Sequence, residues 1–175
     1  MAEDPFVLLG LEPRFDLGVE QIDRAWLVRS ARAHPDRAGD PVQAAEAVRA
    51  TALLNEARRI LRDPFLRAEA LLDRRATLAE GRAAALPQAF LAEMMERRER
   101  LEDASASSDR GTLDRELEDL REERRRVLEL VGTEFARTTA APDSATAGRI
   151  RTALHVIRTL DRLLEEWRTR RESSP

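Results

Sequence analysis

The stretch Val19-Glu20-Gln21-Ile22-Asp23-Arg24-Ala25-Trp26-Leu27-Val28-Arg29-Ser30-Ala31-Arg32-Ala33-His34-Pro35-Asp36-Arg37-Ala38-Gly39-Asp40-Pro41 decides how the N-terminal half of the chain folds. At about 100° per residue, Arg24, Val28 and Arg32 form a stripe on one side of a helix. Ile22, Trp26 and Ala33 fall on the opposite side and need a partner to cover them. The spacing predicts a helix from about Gly18 to Ala33. Two prolines and a glycine then interrupt the pattern between His34 and Pro41, so that segment reads as a loop. Pro35 fixes its own φ and confines His34 to extended backbone, which makes the turn stiff. Apolar residues resume at helical spacing from about Val42 to Arg62, predicting a second helix against which the first can fold back.

Outward from this hairpin the punctuation is clear. Asp4-Pro5 reads as a cap followed by proline in the first helical turn, opening a short helix around Phe6 to Leu9 that Gly10 stops. Asp63-Pro64 repeats the signal and opens a helix through Leu72. Ala76 to Leu86 carries no apolar stripe, so the boundary between two domains is expected there. Pro87 opens a helix to about Ala104, ended by the Ser105–Ser108 tract. Thr112 is read as the cap of a long helix through Phe135. After a loop around Pro142, a last helix carries Ile150, Leu154, Ile157, Leu160, Leu164 and Trp167. Three helices joined by short polar connections form an antiparallel bundle.

The 175 residues and 19.8 kDa suffice for one large domain or two small ones. Hydrophobic residues at 42% supply a core, and charged residues at 36% keep the surface solvated, which excludes a disordered tail protein. No apolar run reaches the twenty or so residues of a bilayer span. With no cysteine, disulfides, thiolate metal sites and cysteine nucleophiles are excluded. Every one of the 30 basic residues is arginine, so lysine Schiff-base chemistry and a phosphate-loop lysine are excluded as well. A net charge of −3 argues against nucleic acid as the main partner. The acidic start, Met1 to Asp4, is not followed by a secretory signal, and a cytoplasmic protein is expected. The only histidines, His34 and His155, are far apart and have no accompanying ligand or nucleophile pattern. Neither an enzyme nor a bound metal or cofactor is expected. The chain reads as all-α.

The order of short helix, longer helix, His34-Pro35-Asp36 and third helix resembles the J domain over residues 1–75. The resemblance implies docking on the ATPase of a DnaK-type chaperone, with stimulation of its ATP hydrolysis, through His34, Pro35, Asp36, Arg24, Arg29, Arg32 and Arg37. The residues themselves describe an electrostatic site: a basic stripe leads to a stiff turn where Asp36 is placed to pair with a partner arginine. Ala33 stands where an aromatic residue is usual, and Arg37 replaces a lysine with its charge kept.

Two further segments narrow the family. Asn55-Glu56-Ala57-Arg58-Arg59-Ile60-Leu61-Arg62-Asp63-Pro64-Phe65-Leu66-Arg67-Ala68-Glu69-Ala70-Leu71-Leu72 resembles the end of the J domain in HscB-type co-chaperones. Leu86-Pro87-Gln88-Ala89-Phe90-Leu91-Ala92-Glu93-Met94-Met95-Glu96-Arg97-Arg98-Glu99 resembles the start of that family's C-terminal domain. The resemblance implies an N-terminal J domain at 1–75, a linker at 76–86 and a C-terminal three-helix bundle at 87–172. The implied task is delivery of an IscU-type iron–sulfur scaffold to an HscA-type chaperone. Phe90, Met94 and Leu101 suit the bundle core. Leu91, Ala92, Met95, Glu99 and Glu102 spread over a second face that mixes apolar and acidic groups, as a protein-docking surface does. By the resemblance, Leu91, Ala92, Met95, Glu96, Glu99 and Thr159 would touch the scaffold. Ala92 and Thr159 are smaller than the residues familiar at those places. The alternative is a general J-domain co-chaperone whose bundle holds another client or self-associates.

Overall fold

The computed structural model describes residues 3–33, 40–75, 85–138 and 142–173, and every regular element among them is an α-helix. Packing divides the chain into two units, Met1–Thr77 with Phe135–Ala141 and Leu78–Glu134 with Pro142–Pro175.

The first unit contains α1 (Pro5–Leu9), α2 (Val19–Arg32), α3 (Pro41–Arg62) and α4 (Pro64–Arg75). Three of these begin at an Asp-Pro pair, for one reason each time. Proline contributes no N–H to the unsatisfied first turn, and the aspartate accepts the amides beyond it. Asp4 Oδ1 accepts from the Phe6 N–H at 2.9 Å, Asp40 Oδ1 from Gln43 at 2.8 Å and Asp63 Oδ1 from Phe65 at 2.8 Å. Gly10 ends α1 at φ +65°, the left-handed conformation that glycine adopts without a Cβ clash.

Helices α2 and α3 form an antiparallel hairpin whose pairings step in opposite directions. Arg58 donates to Asp23 at 2.8 Å, Trp26 Nε1 donates to Asn55 Oδ1 at 2.9 Å, and the Thr51 hydroxyl, whose shorter bond goes to the Ala47 carbonyl of its own helix at 2.8 Å, also lies 3.3 Å from the Ala33 carbonyl. The Arg58 guanidinium also lies over the Trp26 ring, 4.3 Å from its centroid. The hydrogen bond from Arg58 holds the Asp23 carboxyl below its ordinary range. Phe6, Leu9, Leu17, Ile22, Leu54, Ala57, Leu61, Phe65, Ala68, Leu71 and Leu72 fill the core of this unit.

Arg67 is buried in that core, which its place in the apolar run of α4 did not lead one to expect. Its Nη1 donates to the carbonyls of Phe15 and Leu17, both at 2.7 Å, so it supplies hydrogen bonds that the irregular 11–18 segment lacks from regular structure. Burial pulls its pKa down, opposed by Asp63 and Asp16. Arg67→Met keeps the apolar stem but strands both carbonyls. It is expected to lower stability by about 3 kcal/mol, as hydrogen bonds to charged donors contribute roughly 1.5–3 kcal/mol each. The check is a lower urea midpoint at unchanged slope.

The second unit is built from α5 (Gln88–Ala106), α6 (Arg110–Arg137) as far as Glu134, and α7 (Ser144–Ser173). Met94, Leu101, Leu117, Leu120, Leu160, Leu163 and Trp167 form its core, with Phe90, Leu113, Val156 and Leu164 packed against it. Ion pairs give the helix directions. Arg97–Glu123 (2.9 Å) and Arg100–Glu116 (2.8 Å) make α5 and α6 antiparallel. Arg149–Glu134 (2.7 Å) and Arg171–Asp114 (2.7 Å) do the same for α6 and α7. Arg98–Glu166 (2.7 Å) and Arg170–Glu102 (3.9 Å) make α5 and α7 parallel. This is an antiparallel three-helix bundle, and the fold class read from the sequence holds.

One helix start differs from expectation. Thr112 is not the cap of α6: Asp109 is, with its Oδ1 accepting from the Thr112 N–H at 3.0 Å, so the helix begins at Arg110. Both residue types make good caps, and the left-handed Ser108 (φ 56°) just before Asp109 ends the turn from α5. The last helix starts at Ser144, ahead of its first apolar stripe residue, because Asp143 accepts from the Thr146 N–H at 2.7 Å. Those backbone bonds hold both carboxyls below their ordinary range.

Candidate functional site

The stripe on α2 is exposed as the pattern requires: Arg24, Val28 and Arg32 face solvent while Ile22 is fully buried. Tying the opposite side to Asn55 and Arg58 fixes which way the stripe points. Arg29 is exposed too, but its guanidinium lies against Gly10, where any Cβ would overlap it. The left-handed backbone angle at Gly10 favours glycine there, whereas the overlapping guanidinium is the far end of an exposed side chain that can swing aside. Arg29 and Arg32 also line a shallow depression of about 340 Å³ floored by Leu8, Leu53 and Leu54. The apolar floor did not show in the sequence, because α1 and α3 each contribute only one or two residues to it.

His34, Pro35, Asp36 and Arg37 lie outside the described residues. The flanking residues on either side are anchored: the Ala33 carbonyl accepts from Thr51, and Asp40 caps α3. The hairpin thus brings Ala33 and Asp40 to the same end of the α2–α3 pair.

The other candidate site is on α5. Met94 and Leu101 point into the bundle core, at 8% and 0% exposure. Leu91 and Met95, one residue round from the inward Phe90 and Met94, are 45% and 67% exposed. Ala92, Glu96 and Glu99 are exposed alongside them. Neither Glu96 nor Glu99 is in an ion pair among the described residues, whereas Arg98 and Arg100 on the same helix are committed to Glu166 and Glu116. This surface is therefore an apolar pair with negative charge beside it.

Thr159 is half-buried on α7, with its hydroxyl donating to the His155 carbonyl at 2.9 Å. The Arg98–Glu166 and Arg170–Glu102 pairs share one register. Parallel helices in that register put Thr159 at the axial height of Leu91. A threonine whose hydroxyl is spent on its own helix presents only a methyl group to a neighbour.

A J-type helical hairpin carrying an exposed basic stripe, in a chain with a separate three-helix bundle, defines a J-domain co-chaperone. A family model for the HSCB C-terminal oligomerisation domain matches residues 86–167. The chain is 36% identical over 172 residues to a co-chaperone protein HscB homolog of Paraburkholderia phymatum, covering 95% of this chain and 93% of that one. A homolog of the same name in Bordetella petrii is 38% identical over 131 residues, covering 73% and 77%. The fold is shared with the chaperone HscB from Vibrio cholerae, at a TM-score of 0.78 and 23% identity over 97% of this chain and 98% of that one. It is also shared with human co-chaperone protein HscB, at 0.75 and 18% over 95% and 82%. The chain belongs to the HscB co-chaperone family.

Proposed function

We propose that this co-chaperone binds an IscU-type iron–sulfur scaffold on the α5 face and presents it to an HscA/DnaK-type chaperone, whose ATP hydrolysis it stimulates through the α2 stripe and the His34-Pro35-Asp36 segment. The observation that carries the reading is the split role of α5. One side of that helix fills the bundle core, and Leu91 and Met95 on the next side are left in water beside exposed Glu96 and Glu99. A bundle needs one apolar stripe per helix, so the second is surplus to folding. Leu91, Ala92, Met95, Glu96 and Glu99 would meet the scaffold directly, joined by Thr159, which lies at the axial height of Leu91 on α7.

No chemistry is assigned to the chain itself. It acts as an adaptor: binding one state of the chaperone better than another shifts the chaperone's populations towards the hydrolysing form. Arg24 and Arg32 steer the encounter, Arg29 and Arg37 add charge, and Asp36 is placed to pair with a chaperone arginine. The bacterial relatives, and the lack of any described helix long and apolar enough to cross a membrane, support work in the cytoplasm. The direct test adds purified scaffold and HscA-type chaperone: this protein should bind the scaffold in isolation and raise ATP turnover further when the scaffold is present. Failure to bind the scaffold overturns the reading.

Charge reversal tests the steering. Arg24→Glu with Arg32→Glu should raise the concentration needed for half-maximal stimulation about tenfold. Raising salt should weaken the unaltered protein in the same direction, since screening shortens to about 10 Å at 0.1 M. An unchanged half-maximal concentration would remove the α2 stripe from the docking surface.

A further inference from the structure

We infer that Met95 is an oxidation-sensitive switch in scaffold capture: conversion of its exposed thioether to the sulfoxide by a hydroperoxide weakens the α5 face, and reduction of the sulfoxide restores it. The inference rests on the scaffold reading of that face and adds its regulation.

Two adjacent methionines occupy opposite environments. Met94 is 8% exposed and packs with Leu101, Leu117 and Leu160, while Met95 is 67% exposed beside Leu91. Peroxide reaches a sulfur in proportion to its access, so Met95 oxidises and Met94 is shielded. In the reaction a sulfur lone pair attacks one peroxide oxygen. The S–O bond forms as the O–O bond breaks, the sulfur loses two electrons, and the hydroperoxide leaves as water or an alcohol. A methionine sulfoxide reductase reverses this with two thiols, returning the thioether, a disulfide and water.

The effect on capture comes from the neighbours. An unbranched thioether adapts to a facing apolar surface, and its burial there is favourable. The sulfoxide carries a strong acceptor, which must lose water when the partner docks, and the donor nearest it on that face is Arg98, whose guanidinium is already bonded to Glu166. Leu91 and Ala92 offer none, and Glu96 and Glu99 add further acceptors. Folding is spared, because the altered atom lies outside the core.

The test uses the full chain alone, so that the scaffold's own thiols never meet the oxidant. The protein is treated with hydrogen peroxide, the peroxide is destroyed with catalase, and fragmentation mass spectrometry assigns the added oxygen among Met1, Met94 and Met95, oxygen on Met1 being common to the protein and to Met95→Leu. Reduced apo-scaffold is then titrated in. Oxygen on Met95, an unchanged melting temperature and about tenfold weaker capture, recovered after reductase, is the expected result; tenfold corresponds to about 1.4 kcal/mol. Met95→Leu, compared with itself before and after peroxide, should show no change in capture. The inference is overturned if oxygen lands on Met94, if Met95 sulfoxide captures as well as before, or if Met95→Leu loses capture on treatment. Absent capture before any treatment defeats the scaffold reading and this inference together, so the two failures are told apart by the untreated sample.

Discussion

His34→Gln is expected to leave the partner chaperone hydrolysing ATP at its unstimulated rate, while the variant itself folds normally. Normal folding is anticipated because the hairpin is held by groups elsewhere. Arg58 bonds Asp23, Trp26 bonds Asn55, Thr51 bonds Ala33, and Ile22, Leu54, Ala57 and Leu61 are buried in the core of that unit. None of these involves His34. Glutamine preserves polarity and hydrogen-bonding capacity but replaces a flat, rigid ring with a side chain that has an extra rotatable bond. Pro35 still restricts the backbone before it. What is lost is the shape offered to the chaperone. On the proposed reading, stimulation comes from binding one chaperone state better than the other, so losing that difference would lose the effect rather than merely slow it. Circular dichroism and a thermal melt should match the unaltered protein, and a steady-state ATPase assay should match chaperone alone. Stimulation at the usual level by this variant would remove the His34-Pro35-Asp36 segment from the mechanism.

The second large effect is expected from Leu91→Ser combined with Met95→Ser. Both side chains are exposed in the free protein, so stability should hardly change. In the complex each would bury an apolar side chain, worth roughly 1.5–3 kcal/mol when complete. Partial burial of both gives about 3 kcal/mol, or a loss of about a hundredfold in scaffold affinity by calorimetry. Stimulation of the chaperone by the variant in the absence of scaffold should remain, since the α2 stripe belongs to the other unit. Scaffold affinity unchanged in the double variant would reduce the α5 face to ordinary surface. Together the two experiments separate client capture from motor stimulation, which a single chaperone-activity assay cannot do.

Much of this organisation is readable from local chemistry. Asp4-Pro5 and Asp63-Pro64 announce helix starts because capping involves residues two or three apart, and no distant neighbour is needed to satisfy those amides. The alternation of inward Phe90, Met94 and Leu101 with outward Leu91 and Met95 comes from helical period alone. The choice between Thr112 and Asp109 did not, since either is a competent cap and the turn at Ser108 settles it. Arg67 looked like one more arginine in an arginine-rich chain, yet it clamps carbonyls some fifty positions earlier.

Most helix boundaries, the core stripes and the existence of two exposed faces were thus contained in the order of residues, because they depend on contacts within about one helical turn. Folding in three dimensions alone settled where the long side chains end. Arg29 comes to rest on Gly10, Arg67 reaches Phe15 and Leu17, and the pairing of Arg98 with Glu166 sets Thr159 level with Leu91. An arginine has a long, flexible stem and five donors, so its partner is chosen by whichever acceptors packing brings within reach, and sequence spacing holds no record of that choice.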